Sequence, residues 1–240
     1  MTRQFALLLL TSAFIGTPVF ASESRHGDAA EAQAFIKEMQ EQNDAYIKSS
    51  KPVFFQTLAK GQQPRATVVT CADSRVHTDM LDKTPEGDLF MVRNIGNQLA
   101  TAEGSVEYGV NHLASSLLLF IGHSSCGAIK AAGGDYSGLE PAIQRELDTI
   151  AIEKDGNVID GVQANVNNQV TAAMQKFSDK VESGQLLIVG AVYDFSDEMK
   201  QGSGKLHMIN MNGETDPAKL KTFKVSKAKK PEAEQHQHKH

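Results

Sequence analysis

Four short apolar runs punctuate the chain: ATVVT at 66–70, LFMV at 89–92, LLLFIG at 117–122 and LLIVGAV at 186–192. Each is too brief for a helix with a full apolar face, and each reads as a buried strand. Between the second and third lies TAEGSVEYGVNHLA, whose Val106, Val110 and Leu113 share one helical face. Between the third and fourth come a helix start at SCGAIKAAGG and a long helical stretch, PAIQRELDTIAIEKDG followed by VQANVNNQVTAAMQKFSDKVESG. Strands separated by helices imply crossover connections and a mostly parallel sheet. KLHMINMN, from 205, reads as a hairpin partner for the fourth run. The expected fold class is therefore α/β, with about four parallel strands plus an antiparallel edge strand, flanked by helices. No internal repeat is seen.

The chain has 240 residues and is 40% hydrophobic, enough for one substantial core. A formal charge of -5 offers no broad basic surface, which argues against nucleic acid as a partner and favours a small or neutral substrate. Residues 1–21 combine Arg3, an apolar run from Phe5 to Leu10 that resumes at Ala13, and small Ala21. This is the pattern of a cleavable secretory signal, so a periplasmic or secreted protein is expected, free of the membrane after cleavage. An uncleaved anchor is the alternative, against which the apolar stretch falls short of about 20 residues. The body is expected over 22–225, beginning with an amphipathic helical arm that carries Ala34, Phe35, Met39, Tyr46 and Ile47. The tail 226–240 is Lys-rich and then His-rich, with nothing apolar to bury, and is expected to be disordered.

Only two cysteines occur, and each stands where an apolar run gives out: Cys71 in TVVTCADSRV and Cys126 in HSSCGA. In an oxidising compartment an even count suggests a Cys71–Cys126 disulfide. The surroundings suggest a metal instead. Ligands of parallel sheets bind beyond the carboxyl ends of the strands, and Cys71 and His123 both fall at such ends. The H-x-x-C spacing lets His123 and Cys126 reach one ion as the chain turns into a helix. With Cys71 they supply two sulfurs and one nitrogen, a set found in catalytic zinc sites that leave the fourth position to water. A helix N-terminus at Cys126 would favour its thiolate.

CADSR and HSSCG resemble the paired zinc motifs C-x-D-x-R and H-x-x-C-G of the β-class carbonic anhydrases. GQQP, LFMVRNIGN, SVEYGVNHL and LLIVGAVYDF are similar to that family too, so the resemblance runs from about Phe35 to Ile209. It implies the β-carbonic anhydrase fold, one zinc per subunit on Cys71, His123 and Cys126, and an Asp73–Arg75 pair beside the metal. A carboxylate there can accept a hydrogen bond from bound water, and a two-pronged Arg75 can keep Asp73 from taking the metal's open position. An isolated D-x-R would read as a surface salt bridge. The implied reaction is attack of zinc-bound hydroxide on carbon dioxide, giving bicarbonate and a proton. Relatives with this zinc fold hydrolyse carbon disulfide or carbonyl sulfide, which the ligand set does not separate from it.

By match to the family's motifs, Gln62 is the expected donor to substrate, and Phe90, Ile95 and Tyr108 the expected pocket lining. The bland alternatives are a turn residue for Gln62 and ordinary core for the other three. The family forms dimers in which a neighbouring subunit contributes to this pocket, so a homodimer or a dimer of dimers is expected. His77, His112 and His207 are possible proton carriers or ordinary histidines, His77 foremost because it lies two residues past Arg75. Some bacterial members close the site at low pH by placing the aspartate on zinc, helped by a bicarbonate pocket containing a tryptophan. This chain has no Trp, and an open site is expected.

Overall fold

The computed structural model describes residues 27–225; the signal-like segment 1–21 and the tail 226–240 lie outside the described residues. Two helices come first, α1 (Ala29–Ser49) and α2 (Pro52–Leu58). Asp28 caps α1 by accepting the Glu31 amide at 2.8 Å. None of the 21 residues of α1 is buried, and Phe35, Ile36, Met39 and Ile47 are about half exposed. The arm therefore projects from the body along an apolar stripe.

The body is a five-stranded sheet in the order β2-β1-β3-β4-β5. Its strands are β1 (Ala66–Cys71), β2 (Leu89–Asn94), β3 (Leu117–His123), β4 (Leu187–Asp194) and β5 (Lys205–Met211). The first four are parallel and β5 is antiparallel to β4, as the apolar runs and the hairpin predict. Strand β1 is flanked by β2 on one side and β3 on the other. The connections leaving β1 and β3 diverge, and the crevice this opens at their carboxyl ends is where parallel sheets hold ligands.

Helices α3 (Glu103–Glu107), α4 (Gly127–Gly133), α5 (Pro141–Leu147), α6 (Val158–Lys176) and α7 (Ser178–Glu182) fill the crossovers, and α8 (Pro217–Leu220) follows β5. Two details depart from the sequence expectation. The TAEGSVEYGVNHLA helix widens into a π-turn over Tyr108–His112. The stretch PAIQRELDTIAIEKDG is not one helix, because α5 stops at Leu147. Beyond it Ile150 is buried and Ile152 packs beside it in the core with Cys71 and Cys126, so tertiary burial takes these β-branched residues out of the helix. Asp155, at φ 56°, completes the turn into α6.

Helix α6 lies across β3 and β4, with Val162, Val166, Val170 and Ala173 fully or almost fully buried. Gly122 and Gly190 permit this approach: a Cβ at Gly122 would sit 2.7 Å from Val162 Cγ1 and 2.8 Å from Val166 Cγ2. Gly122→Ala should therefore push α6 from the sheet and cost about 1–3 kcal/mol. A lowered urea midpoint at unchanged slope would show it; a midpoint equal to that of the parent would contradict the packing described.

Candidate metal centre

Strand β1 delivers Cys71 at its last residue and neighbouring β3 delivers His123 at its last. Cys126 follows three residues later as the N-cap of α4. Ser125, at φ 54°, makes the tight turn that brings it back. The ligand atoms of Cys71, His123 and Cys126 all lie within 4.8 Å of one another. All three residues are buried, His123 completely. Both cysteines are free thiols, so the disulfide is not formed.

The donor chemistry fits a metal ion. His123 Nδ1 lies 2.9 Å from the Ser124 carbonyl oxygen, which can only accept, so Nδ1 carries the proton. The lone pair of the neutral ring is then on Nε2, which is buried without a hydrogen-bond partner. A lone pair so placed is costly unless something binds it. The two thiols share a proton: the hydrogen bond from Cys126 is the main cause that brings Cys71 down to about 4, with neighbouring His123 and then the Gly96 amide adding to it against the opposing effect of burial. The same shared proton, together with burial, pushes Cys126 up, although the Ala128 and Ile129 amides point at its sulfur. A divalent cation would displace that proton and neutralise both sulfurs.

Asp73 is locked beside this cluster. Its Oδ1 accepts from Arg75 Nε and from the Arg75 backbone N–H, each at 2.9 Å, and its Oδ2 accepts from Nη2 at 2.7 Å. Arg75 Nη2 also donates to the Ser125 carbonyl at 3.2 Å. The Arg75 fork holds the Asp73 carboxyl at about 2, below the ordinary 3.8. Asp73 Oδ2 stands 3.8 Å from His123 Nε2, too far for a hydrogen bond. With both of its oxygens claimed by Arg75, Asp73 borders the cluster without joining it.

A further layer braces these groups. Arg93, in the edge strand β2, donates from Nη2 to the Asp73 carbonyl at 2.7 Å and from Nε to the Cys71 carbonyl at 3.3 Å. Gly96, whose amide reaches Cys71, is fixed through its carbonyl by Gln98 Nε2 at 2.5 Å and Asn165 Nδ2 at 3.0 Å. Gln98 in turn binds Asn165 and Gln169, and Gln169 accepts the Leu99 amide at 2.8 Å. This buried amide ladder joins the loop after β2 to α6. Beyond β4, Phe195 stacks on the His123 ring, and Arg75 Cζ sits 4.7 Å over its face. Sequence reading left Arg93, Gly96 and Phe195 without roles; a charged residue inside the apolar run LFMV-R-N was the only signal for any of them.

The expected pocket residues separate. Ile95 packs against the core that contains Cys71 and Cys126. Phe90 pairs in register with Thr67, four residues below Cys71, which is about 13 Å along the strand. Its ring meets that of Tyr108 at 5.9 Å, and Tyr108 is about half exposed. Gln62 is exposed on the loop between α2 and β1. Within one chain, then, the metal cluster has Ile95 beside it, while Phe90 and Tyr108 form a separate patch at the β2 edge. Among the histidines, His77 is exposed, His112 is exposed and stacks on Tyr108, and His207 is half-buried on β5.

Comparison with known proteins meets this geometry. The family model described as carbonic anhydrase matches residues 66–203, more than half of the chain. Carbonic anhydrase 2 of Mycobacterium tuberculosis (strain ATCC 25618 / H37Rv) is 34% identical over 154 residues, covering 58% of this chain and 74% of that protein. A carbonic anhydrase of Emericella nidulans is 31% identical over 185 residues, covering 65% and 78%. Among solved structures, a tetrameric β-carbonic anhydrase from Sordaria macrospora superposes with a TM-score of 0.62 at 25% identity, covering 75% of this chain and 97% of that one. The β-carbonic anhydrase CafA of Aspergillus fumigatus gives 0.55 at 27% identity, covering 82% and 99%. Two strand ends carrying Cys71 and His123, a returning Cys126, an Arg75-bound Asp73 and these likenesses all point one way: the chain belongs to the β-class carbonic anhydrase family.

Proposed function

We propose that the protein catalyses the reversible hydration of carbon dioxide, using one zinc ion held by Cys71, His123 and Cys126. The observation that carries this reading is the buried, unpartnered Nε2 of His123 facing two free thiols beside an Asp73 whose oxygens are both committed to Arg75. Zinc supplies Lewis acidity, lowering the pKa of an adjacent water far enough for attack on carbon dioxide near neutral pH. The chain's residues do the rest. Asp73 accepts the water's hydrogen bond at Oδ2 and so aims its lone pair at the substrate. Arg75 keeps Asp73 from competing for the metal, the open arrangement expected from the sequence. Ile95 gives the apolar wall that a nonpolar gas requires.

The remaining pocket is proposed to be shared between copies. Gln62 and Tyr108 are exposed and Phe90 is half-buried beside Tyr108 at the β2 edge, and all three are taken to serve a partner's cluster. The apolar stripe of α1 is suited to cover that partner. A homodimer or dimer of dimers follows, and light scattering on purified protein should show it; a fully active monomer would contradict a shared pocket.

Asp73→Ala or Arg75→Ala should lower hydration by about 10²-fold or more while leaving close to one zinc per chain, because neither residue is a ligand. Loss of zinc in proportion to activity would make them structural instead. Carbon disulfide and carbonyl sulfide, assayed beside carbon dioxide, decide among the three gases; turnover of a sulfur gas without hydration would replace this reading.

Asp73, held at about 2, is ionised throughout the working range, so its titration cannot gate activity near neutrality. Its depressed value stabilises the folded state above the ordinary 3.8 and ceases to do so as pH falls through about 2. Two thiolates cancel the metal's charge and make its water less acidic than three histidines would. Hydration should therefore climb from about pH 6 to about pH 9, and a flat profile over that span would contradict the ligand set.

A further inference from the structure

Arg75 is the least anchored member of the site by exposure, its side chain 49% accessible, yet Asp73 depends on it. Its partners Asp73 and Ser125 all take hydrogen bonds along the edge of the guanidinium plane. Such bonds resist sliding within the plane and only weakly resist tilting out of it. What opposes tilting is a flat neighbour against one face, and Phe195 is that neighbour, with Arg75 Cζ 4.7 Å from its ring centroid. The same ring stacks on the His123 imidazole at 5.8 Å and 23°. One aromatic plate thus touches both a proposed metal ligand and the arginine that governs Asp73.

The plate has contacts of its own. Tyr193 meets Phe195 edge-on at 5.7 Å. Between them the fully buried Asp194 turns the other way and accepts the Glu198 amide at 3.0 Å and the Met199 amide at 2.7 Å. The Glu198 carboxylate then accepts the hydroxyls of Ser125 at 2.6 Å and Ser196 at 2.8 Å. This ties the loop after β4 to the turn between His123 and Cys126.

We propose that Phe195 is a positioning residue for hydration, its ring face holding the Arg75 guanidinium so that Arg75 keeps Asp73 aimed beside the metal. The inference rests on the carbon dioxide reading of the site. A cation over an aromatic face is favoured by the ring's quadrupole, which Tyr retains and Leu lacks at similar bulk. Phe195→Tyr, Phe195→Leu and Phe195→Ala are therefore compared with the parent for zinc per chain, thermal midpoint, kcat and KM. The Tyr variant should stay within about 2-fold of the parent. The Leu variant should lose about 3- to 10-fold in kcat, with KM, zinc content and thermal midpoint little changed, and the Ala variant should lose more. A Leu variant as active as the parent overturns the proposal, as does a kcat loss that tracks zinc loss. Hydrogen exchange at Arg75 Nε–H, followed by NMR, needs no turnover: it should quicken about 5-fold or more in the Leu variant and not in the Tyr variant. Unchanged protection overturns the proposal even if the parent proves inactive on carbon dioxide, an outcome that would defeat the functional reading separately.

Discussion

Cys71 and His123 meet because β1 and β3 are adjacent, parallel and locked in a register that pairs Thr70 with Ile121. A slip of two residues would preserve the inward and outward pattern of side chains but displace one donor about 7 Å along the strand direction. What prevents it is burial: Val68, Val69, Leu118, Phe120 and Ile121 are essentially inaccessible, and each has neighbours shaped to it on α6 or across the sheet. The third donor then needs no long-range placement, since three residues of chain and one left-handed Ser125 return Cys126 to the same point. The metal centre is thus a property of one strand pair and one turn.

Electrostatics explains why the neighbours are what they are. Two sulfurs in the interior could not remain as two bare thiolates: the hydrogen bond between them lowers Cys71 and, with burial, raises Cys126. A divalent cation balances the two thiolates, which leaves a neutral cluster that the interior tolerates. Asp73 would upset that balance, and Arg75 restores it with a paired opposite charge. Each ionised group therefore has a counter-charge within reach, and the amides of Gly96, Ala128 and Ile129 supply finer adjustment to the sulfurs.

What the sequence revealed and concealed follows from the range of the forces involved. Strand positions were legible because apolar runs of four to seven residues are too short for a helix with a full apolar face, and the Cys71, His123 and Cys126 cluster was legible because C-x-D-x-R and H-x-x-C are local. The end of α5 was not, since Ile150 and Ile152 leave the helix for core contacts that the helical pattern cannot reveal. The separation of Phe90 and Tyr108 from Ile95 was likewise hidden, because it depends on strand register and on the edge position of β2. Phe195 was invisible for the same reason: its neighbours Arg75 and His123 lie far away in the chain, and no spacing announces them.

The amide ladder of Gln98, Asn165 and Gln169 has a bearing on how such a site endures its own product. Its hydrogen bonds run among carboxamides, backbone groups and the Thr149 hydroxyl, and none of these gains or loses a proton in water at ordinary acidity. A catalyst that discharges a proton with each forward cycle acidifies its immediate surroundings. Scaffolding of the Gly96 loop by carboxamides rather than by histidines or carboxylates leaves that support of Cys71 indifferent to self-generated acid.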